Sequence, residues 1–204
     1  MNQIFIANVQ NLCKRDRDLA KIIDMYGYPL QWQREPGFSS LIRIILGQQV
    51  SLTSAESTFN RLKSVEEELT PANFLLLDDN QLNQIGFSRQ KIRYGRELAQ
   101  AIAHQQLDLT SLELLEDQAI RTKLTSITGI GDWTVDMYLM TALQRPDVFP
   151  SKDLGVAIAI KEIKNLAARP TVLELESIAK TWRPHRAIAT KILWHYYLNR
   201  KPKR

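Results

Sequence analysis

Cysteine is nearly missing from this 204-residue chain, with Cys13 standing alone. One thiol cannot close an internal disulfide, build a cysteine-rich zinc site or hold a four-cysteine iron–sulfur cluster; a reducing interior compartment fits. Gly and Pro number only eight each, too few for a low-complexity or disordered chain. No run of 18 apolar residues exists, so no membrane span is expected. The start, MNQIFIANVQNLCKR, lacks a basic opening and its apolar stretch is short and interrupted, unlike a secretory signal. Nucleotide-binding, metal-ligand and nucleophile-triad motifs are missing too.

What is present is ordinary for a globular protein: 44% apolar and 24% charged residues. The length suits one domain or two small lobes and can bury a sizeable core. The net charge of +5 is unevenly spread. From Ser177 onward there are eight Lys/Arg and no acid, while the rest carries 19 bases against 22 acids. A basic end on a near-neutral body suits a polyanion partner, or serves as a solubilising tail.

Apolar spacing is helical almost throughout, and no segment reads as a strand. A first helix is expected over 2–26, with Ile4, Ile6, Val9, Leu12, Leu19, Ile22 and Ile23 on its apolar side. QWQREPGF (31–38) is a loop, Ser39–Gln48 a buried helix, and Ser51 caps a helix running to about Leu69. Thr70-Pro71 is a cap followed by proline at the first helical position. Gly86 stops helix 79–85, and Ser88 opens one to about Gln106. Further helices fall at about 111–115, 117–125, 132–143, 153–167, 171–182 and 185–199, giving roughly ten in an α-helical array. LNQIGFSRQKIRYGRELA (82–99) echoes LTSITGIGDWTVDMYLM (124–140) as helix, glycine turn, helix. Chance and true repetition both account for the echo.

The most informative segment is LTSITGIGDWTV, Leu124–Val135. Gly129-Ile130-Gly131 forms a turn requiring backbone freedom and close approach to something bulky. Ile130 is the apolar plug between two helices. The helix beginning at Asp132 has free first-turn N–H groups that suit a phosphate. Such a hairpin grips a nucleic-acid backbone without reading sequence. Further on come RPDVFP (145–150) and Asp153-Leu154-Gly155, and flanking segments read SSLIRIILGQQVSLTSA (39–55) and TWRPHRAIATKILWHYY (181–197).

Together these segments resemble the helix–hairpin–helix (HhH-GPD) DNA glycosylase superfamily over about 30–200, and most closely its AlkA-type 3-methyladenine DNA glycosylase II branch. The resemblance implies an all-α, two-lobed fold with the active-site cleft between the lobes. The N-terminal β domain of larger members is not legible here, which suggests a compact form. The central lobe would be about 38–140, with the hairpin at 124–135, and the second lobe about 1–37 with 141–204. It implies a monofunctional DNA glycosylase that flips alkylated bases of the 3-methyladenine and 7-methylguanine type from duplex DNA and hydrolyses their N-glycosidic bond, starting base excision repair. No cofactor is required. The partner is damaged double-stranded DNA, not a membrane, and the chain is expected to act as a monomer. The compartment would be cytoplasm or nucleoid in a prokaryote and nucleus in a eukaryote.

Residue by residue, Asp153 matches the family's catalytic aspartate, at a helix start that favours its ionised form. Asp147 is read as a cap or brace for the loop. The superfamily's lyase lysine lies two residues after the second hairpin glycine, where this chain has Trp133, so no Schiff base is expected. Lys152 is a phosphate contact at most. Base-pocket candidates are Trp133, Met137, Trp32, Phe38, Trp182 and His185. Met137 and His185 stand where the branch uses aromatics, while Trp194 reads as core packing. Gln48 and Gln49 are wedge candidates, with Gln49 at the intercalating position. DNA-backbone candidates are Gly129, Ile130, Gly131, Trp133, Thr134, Arg183 and Arg186, with Lys191 nearby on the same segment. The carbonyls of Thr125, Ile127 and Ile130 resemble the hairpin's ligands for a monovalent cation, Na+ or K+. Two other readings stay open: a non-catalytic hairpin module, and a glycosylase for oxidised or mismatched bases.

Overall fold

The computed structural model describes residues 2–200 and, among them, contains only helices. They are α1 (Gln3–Arg15), α2 (Arg17–Tyr26), α3 (Phe38–Leu46), α4 (Leu52–Val65), α5 (Pro71–Leu76), α6 (Asp79–Ile85), α7 (Arg89–Ala103), α8 (Leu109–Leu112), α9 (Asp117–Thr125), α10 (Asp132–Thr141), α11 (Leu154–Ile163), α12 (Val172–Ala179) and α13 (Arg186–Asn199). A 3-10 turn, Lys180–Trp182, follows α12. None of the described helices is long and apolar enough to cross a membrane. The chain divides into two compact units: residues up to Gln33 with those from Gln144 onward, and Arg34–Leu143.

Caps set the boundaries. Ser51, Thr70, Asp78, Ser88 and Thr171 each accept a first-turn backbone N–H at the head of α4, α5, α6, α7 and α12, which satisfies donors the helix itself cannot. The single helix expected over 2–26 is broken at Asp16. Its backbone is extended there, and its carboxylate accepts from Asp18 and Leu19 N–H as the cap of α2. That carboxylate also accepts the Trp182 indole N–H at 2.8 Å. Apolar spacing cannot reveal such a break, because both halves keep the same buried face. Several other helices end earlier than their periodicity suggests: α4 stops at Val65, α11 at Ile163 and α12 at Ala179.

In the discontinuous unit, α1, α2, α11 and α13 surround Val9, Leu12, Leu19, Ile22, Ile160, Ile192 and Leu193, all essentially inaccessible. In the contiguous unit, α3 is buried on nearly every side, and α10 exposes only its first turn. Helices buried all round serve as the axis of a bundle. Their ends carry the turns that matter here.

Candidate functional site

The hairpin is formed by α9, the turn Ser126–Gly131 and α10. Arg121 of α9 donates to Asp136 of α10 at 2.5 Å and lies 3.6 Å from Asp132, fastening the two helices. Ile130 is 4% exposed and plugs the turn as expected. The two glycines are there for different reasons. Gly129 has φ +90°, and a Cβ on it would fall 2.1 Å from Tyr94 Cγ, so the fold itself demands glycine. Gly131 has ordinary extended geometry, φ −101°, and a Cβ there would meet nothing within 4 Å. It is the unassisted N-cap of α10, with no side chain closing the first turn. Helix geometry supplies no carbonyl within α10 for its first-turn N–H groups, those of Asp132, Trp133 and Thr134. Thr134 offers only this backbone group: its side chain is buried and accepts from Gln48 at 2.9 Å.

Gln48 was expected to share the wedge role with Gln49, but it is engaged. Its carboxamide donates to Gly129 O and Thr134 Oγ1, both at 2.9 Å. Gln49 is exposed, with a left-handed backbone at φ 56°. Trp133 is half-buried; its Cη2 lies 3.8 Å from where a Cβ on Gly47 would be. Met137, one turn on, is 7% exposed. Phe38 is not a wall of an open pocket: it is 5% exposed and packs edge-on to Phe74 at 5.7 Å in the core of its unit.

The other group of residues lies in the discontinuous unit. Asp153 caps α11, its Oδ1 accepting the Val156 N–H at 2.8 Å and the Trp194 indole N–H at 3.1 Å. Trp32 stacks on Trp194 with centroids 4.9 Å apart and planes 29° apart. Gly155 has no room for a side chain, since a Cβ would come within 3.2 Å of both Asp153 Oδ1 and Tyr197 Cδ1. Trp194, read from sequence as core, is therefore a buried residue that also fixes the carboxylate. A tryptophan among the buried and half-buried residues of α13 carries no sequence signal for that bond.

Three expectations in this unit are corrected. Trp182 is fully buried, packs on Phe149 and donates to Asp16, so it is a core residue and no pocket wall. Arg186 forks onto Asp147, Nε to Oδ1 at 2.8 Å and an amino group to Oδ2 at 3.0 Å. Its charge is spent on the loop, and Asp147 is the brace expected of it. Lys191 is buried at 7% exposure, and burial pushes its amine below the usual lysine range. Arg183, 62% exposed at its side chain, reaches the same Asp147 only at 3.7 Å, a looser pairing than that of Arg186. His185 is half-buried at the head of α13, and its Nδ1 has no hydrogen-bond partner. Of the basic end, Lys201, Lys203 and Arg204 lie outside the described residues.

A fastened glycine hairpin and a carboxylate-capped helix, carried on an all-helical chain, define a helix–hairpin–helix protein. The family model of the HhH-GPD superfamily base excision DNA repair proteins matches residues 42–184, and the chain belongs to that family. It is 29% identical over 180 residues to DNA-3-methyladenine glycosylase 1 of Schizosaccharomyces pombe, covering 86% of this chain and 79% of that one. It is 31% identical over 165 residues to YfjP of Bacillus subtilis, a protein named among the DNA-3-methyladenine glycosylases, and covers 77% of this chain but 58% of that protein's length. The solved structure of the Schizosaccharomyces pombe 3-methyladenine DNA glycosylase in complex with abasic DNA is similar at TM-score 0.83 and 27% identity, over 94% of this chain and 95% of that one.

Proposed function

We propose that the chain is a monofunctional glycosylase of type II that hydrolyses the N-glycosidic bond of alkylated bases in duplex DNA. The observation that carries this reading is the Asp153 carboxylate, held at the head of α11 by the Val156 and Trp194 N–H groups. Cleavage builds positive charge on the deoxyribose as the bond from C1′ to the base nitrogen lengthens. A fixed carboxylate stabilises that charge and orients the water whose oxygen replaces the base at C1′. The leaving base takes the bonding electron pair. An alkylated purine is already cationic, so it leaves as a neutral species.

The same reading gives the other residues their parts. The target base is extruded from the stack before it reacts. Electron-rich rings attract a cationic base more than a neutral one, a role suited to Trp32, which stacks on Trp194 in the unit that carries Asp153. Trp133 replaces the amine a lyase would need, so water is the nucleophile and the product is an intact abasic strand. The first-turn N–H groups of α10 receive a phosphate. The carbonyls of Thr125, Ile127 and Ile130 would hold a monovalent cation; Thr125 ends α9, where helix carbonyls lack intrahelical partners, and Ile127 O already accepts the Ile130 N–H at 3.1 Å. The cation would add positive charge beside the phosphate and nothing to the chemical step.

The test is release of bases from methylated duplex. Free 3-methyladenine and 7-methylguanine should appear with wild type, and borohydride should trap no protein–DNA adduct. Absence of any released base overturns the enzyme reading, and a trapped adduct overturns the monofunctional one.

A further inference from the structure

The turn after α3 is braced at two points, and the hairpin it meets at a third. Gln48 ties it to the hairpin through Gly129 O and Thr134 Oγ1. Lys91 of α7 donates to the last carbonyl of α3, Leu46 O, at 2.6 Å. Tyr94, one turn along α7, lies directly on Gly129. One face of α7 thus supports both turns, and Gln48 closes the link between them. What remains outside the brace is a short exposed apex: Gln49 with its left-handed backbone, then Val50 and Leu52, 44% and 52% exposed. A non-glycine residue keeps such a backbone only where its surroundings over-determine it. The Gln48 bonds supply that constraint on the residue just before the apex, and Lys91 holds Leu46 two residues earlier.

We propose that Gln48 is a positioning residue that makes the apex and the hairpin a single rigid gauge. The hairpin holds a phosphate, and Gln48 fixes how far from that phosphate the apex meets the base stack. Stack invasion is then driven by backbone grip, with no separate movement of the apex. This rests on the glycosylase reading for its substrate, duplex DNA with a base to be extruded. It predicts that Gln48 matters for unstacking and not for holding undamaged duplex.

The probe is a duplex carrying a tetrahydrofuran abasic-site analogue opposite 2-aminopurine, whose fluorescence rises when it is unstacked; no bond is broken in this assay. Wild type should raise the fluorescence. Gln48→Leu, which keeps the shape and removes the donors, should lose at least fivefold of the rise, as should Gln49→Ala. The double variant should be no worse than Gln49→Ala, because both act on one step. Affinity for unmodified duplex should stay within about twofold and the melting temperature near wild type. Lys91→Met provides a second route to the same loss if Gln48→Leu does not fold. A full fluorescence rise in Gln48→Leu, or a loss of unmodified-duplex affinity matching the loss of signal, overturns the proposal. So does a wild type that gives no rise. A wild type that gives the rise but releases no base sinks the hydrolase reading and leaves the gauge standing.

Discussion

At the scale of the residue, Asp153 combines two roles: a helix cap and a carboxylate with a fixed oxygen. Asp153→Asn keeps an amide oxygen for the Val156 N–H, so the cap survives and stability should change by less than about 1 kcal/mol. Base release in a single turnover should nevertheless fall by more than tenfold, a barrier increase above about 1.4 kcal/mol, with DNA affinity within a few fold. A variant that keeps more than about a tenth of the rate removes Asp153 from the chemistry. Trp194→Phe keeps the ring against Trp32 and deletes one donor to the carboxylate. Hydrogen bonds to charged groups are worth about 1.5–3 kcal/mol of stability, so the melting temperature should fall by several degrees, and quenched-flow rates measured well below it should drop roughly tenfold as the carboxylate loses its fixed orientation. Asp153 was legible because a motif surrounds it. Trp194 was not, because a tryptophan at helical spacing looks the same in sequence whether its N–H is idle or holding a carboxylate. Trp182 failed in the opposite sense: its N–H is claimed by Asp16, which sequence separates from it by 166 residues.

At the scale of the element, the two hairpin glycines should separate cleanly. Gly129→Ala forces a side chain onto Tyr94 from a left-handed backbone, a strain on the order of 1–3 kcal/mol or more, and should lower the melting temperature. Gly131→Ala meets no protein atom within 4 Å. It should melt like wild type and bind duplex several-fold more weakly, because only an incoming backbone would feel the methyl. Thermal melts alongside filter binding read both; equal melting losses would show that Gly131 serves the fold as well. Cap residues made most helix starts readable in the sequence, since Ser51, Thr70 and Ser88 act through their own backbone neighbourhood, as Gly86 does at the end of α6. Helix ends were less readable. The stops at Val65 and Ile163 follow no glycine or proline at the next residue, and the interior break at Asp16 depends on a capping bond, with no lapse in apolar spacing.

At the scale of the whole molecule, basic residues counted in sequence overstate the charge open to a polyanion. Arg186 is paired with Asp147, Arg200 with Glu162, and Lys191 is buried. Arg183 touches Asp147 only at 3.7 Å and keeps most of its side chain in solvent, so Arg183→Ala should lower the slope of log affinity against log salt by about one unit, and Arg186→Ala should not. Filter binding across a salt series on two unrelated duplexes measures this, and a strong preference between them would argue for a sequence reader. Lys191 has a depressed folded-state pKa, so its burial penalty is full below that value and relaxes as pH rises toward the unfolded lysine value. Lys191→Met should raise the melting temperature at neutral pH, by about 2–4 °C for each kcal/mol relieved, with the gain shrinking as pH rises toward the ordinary lysine value of about 10.4. The division of the chain also orders events during synthesis. Arg34–Leu143 is contiguous and can fold once it has left the ribosome, whereas α2 must wait for α13, on which His195 bonds to Tyr26 O. Translating the 159 residues between Tyr26 and Arg186 takes about 8–32 s, an interval in which the exposed apolar faces of α1 and α2 are the nascent chain's natural substrate for a chaperone.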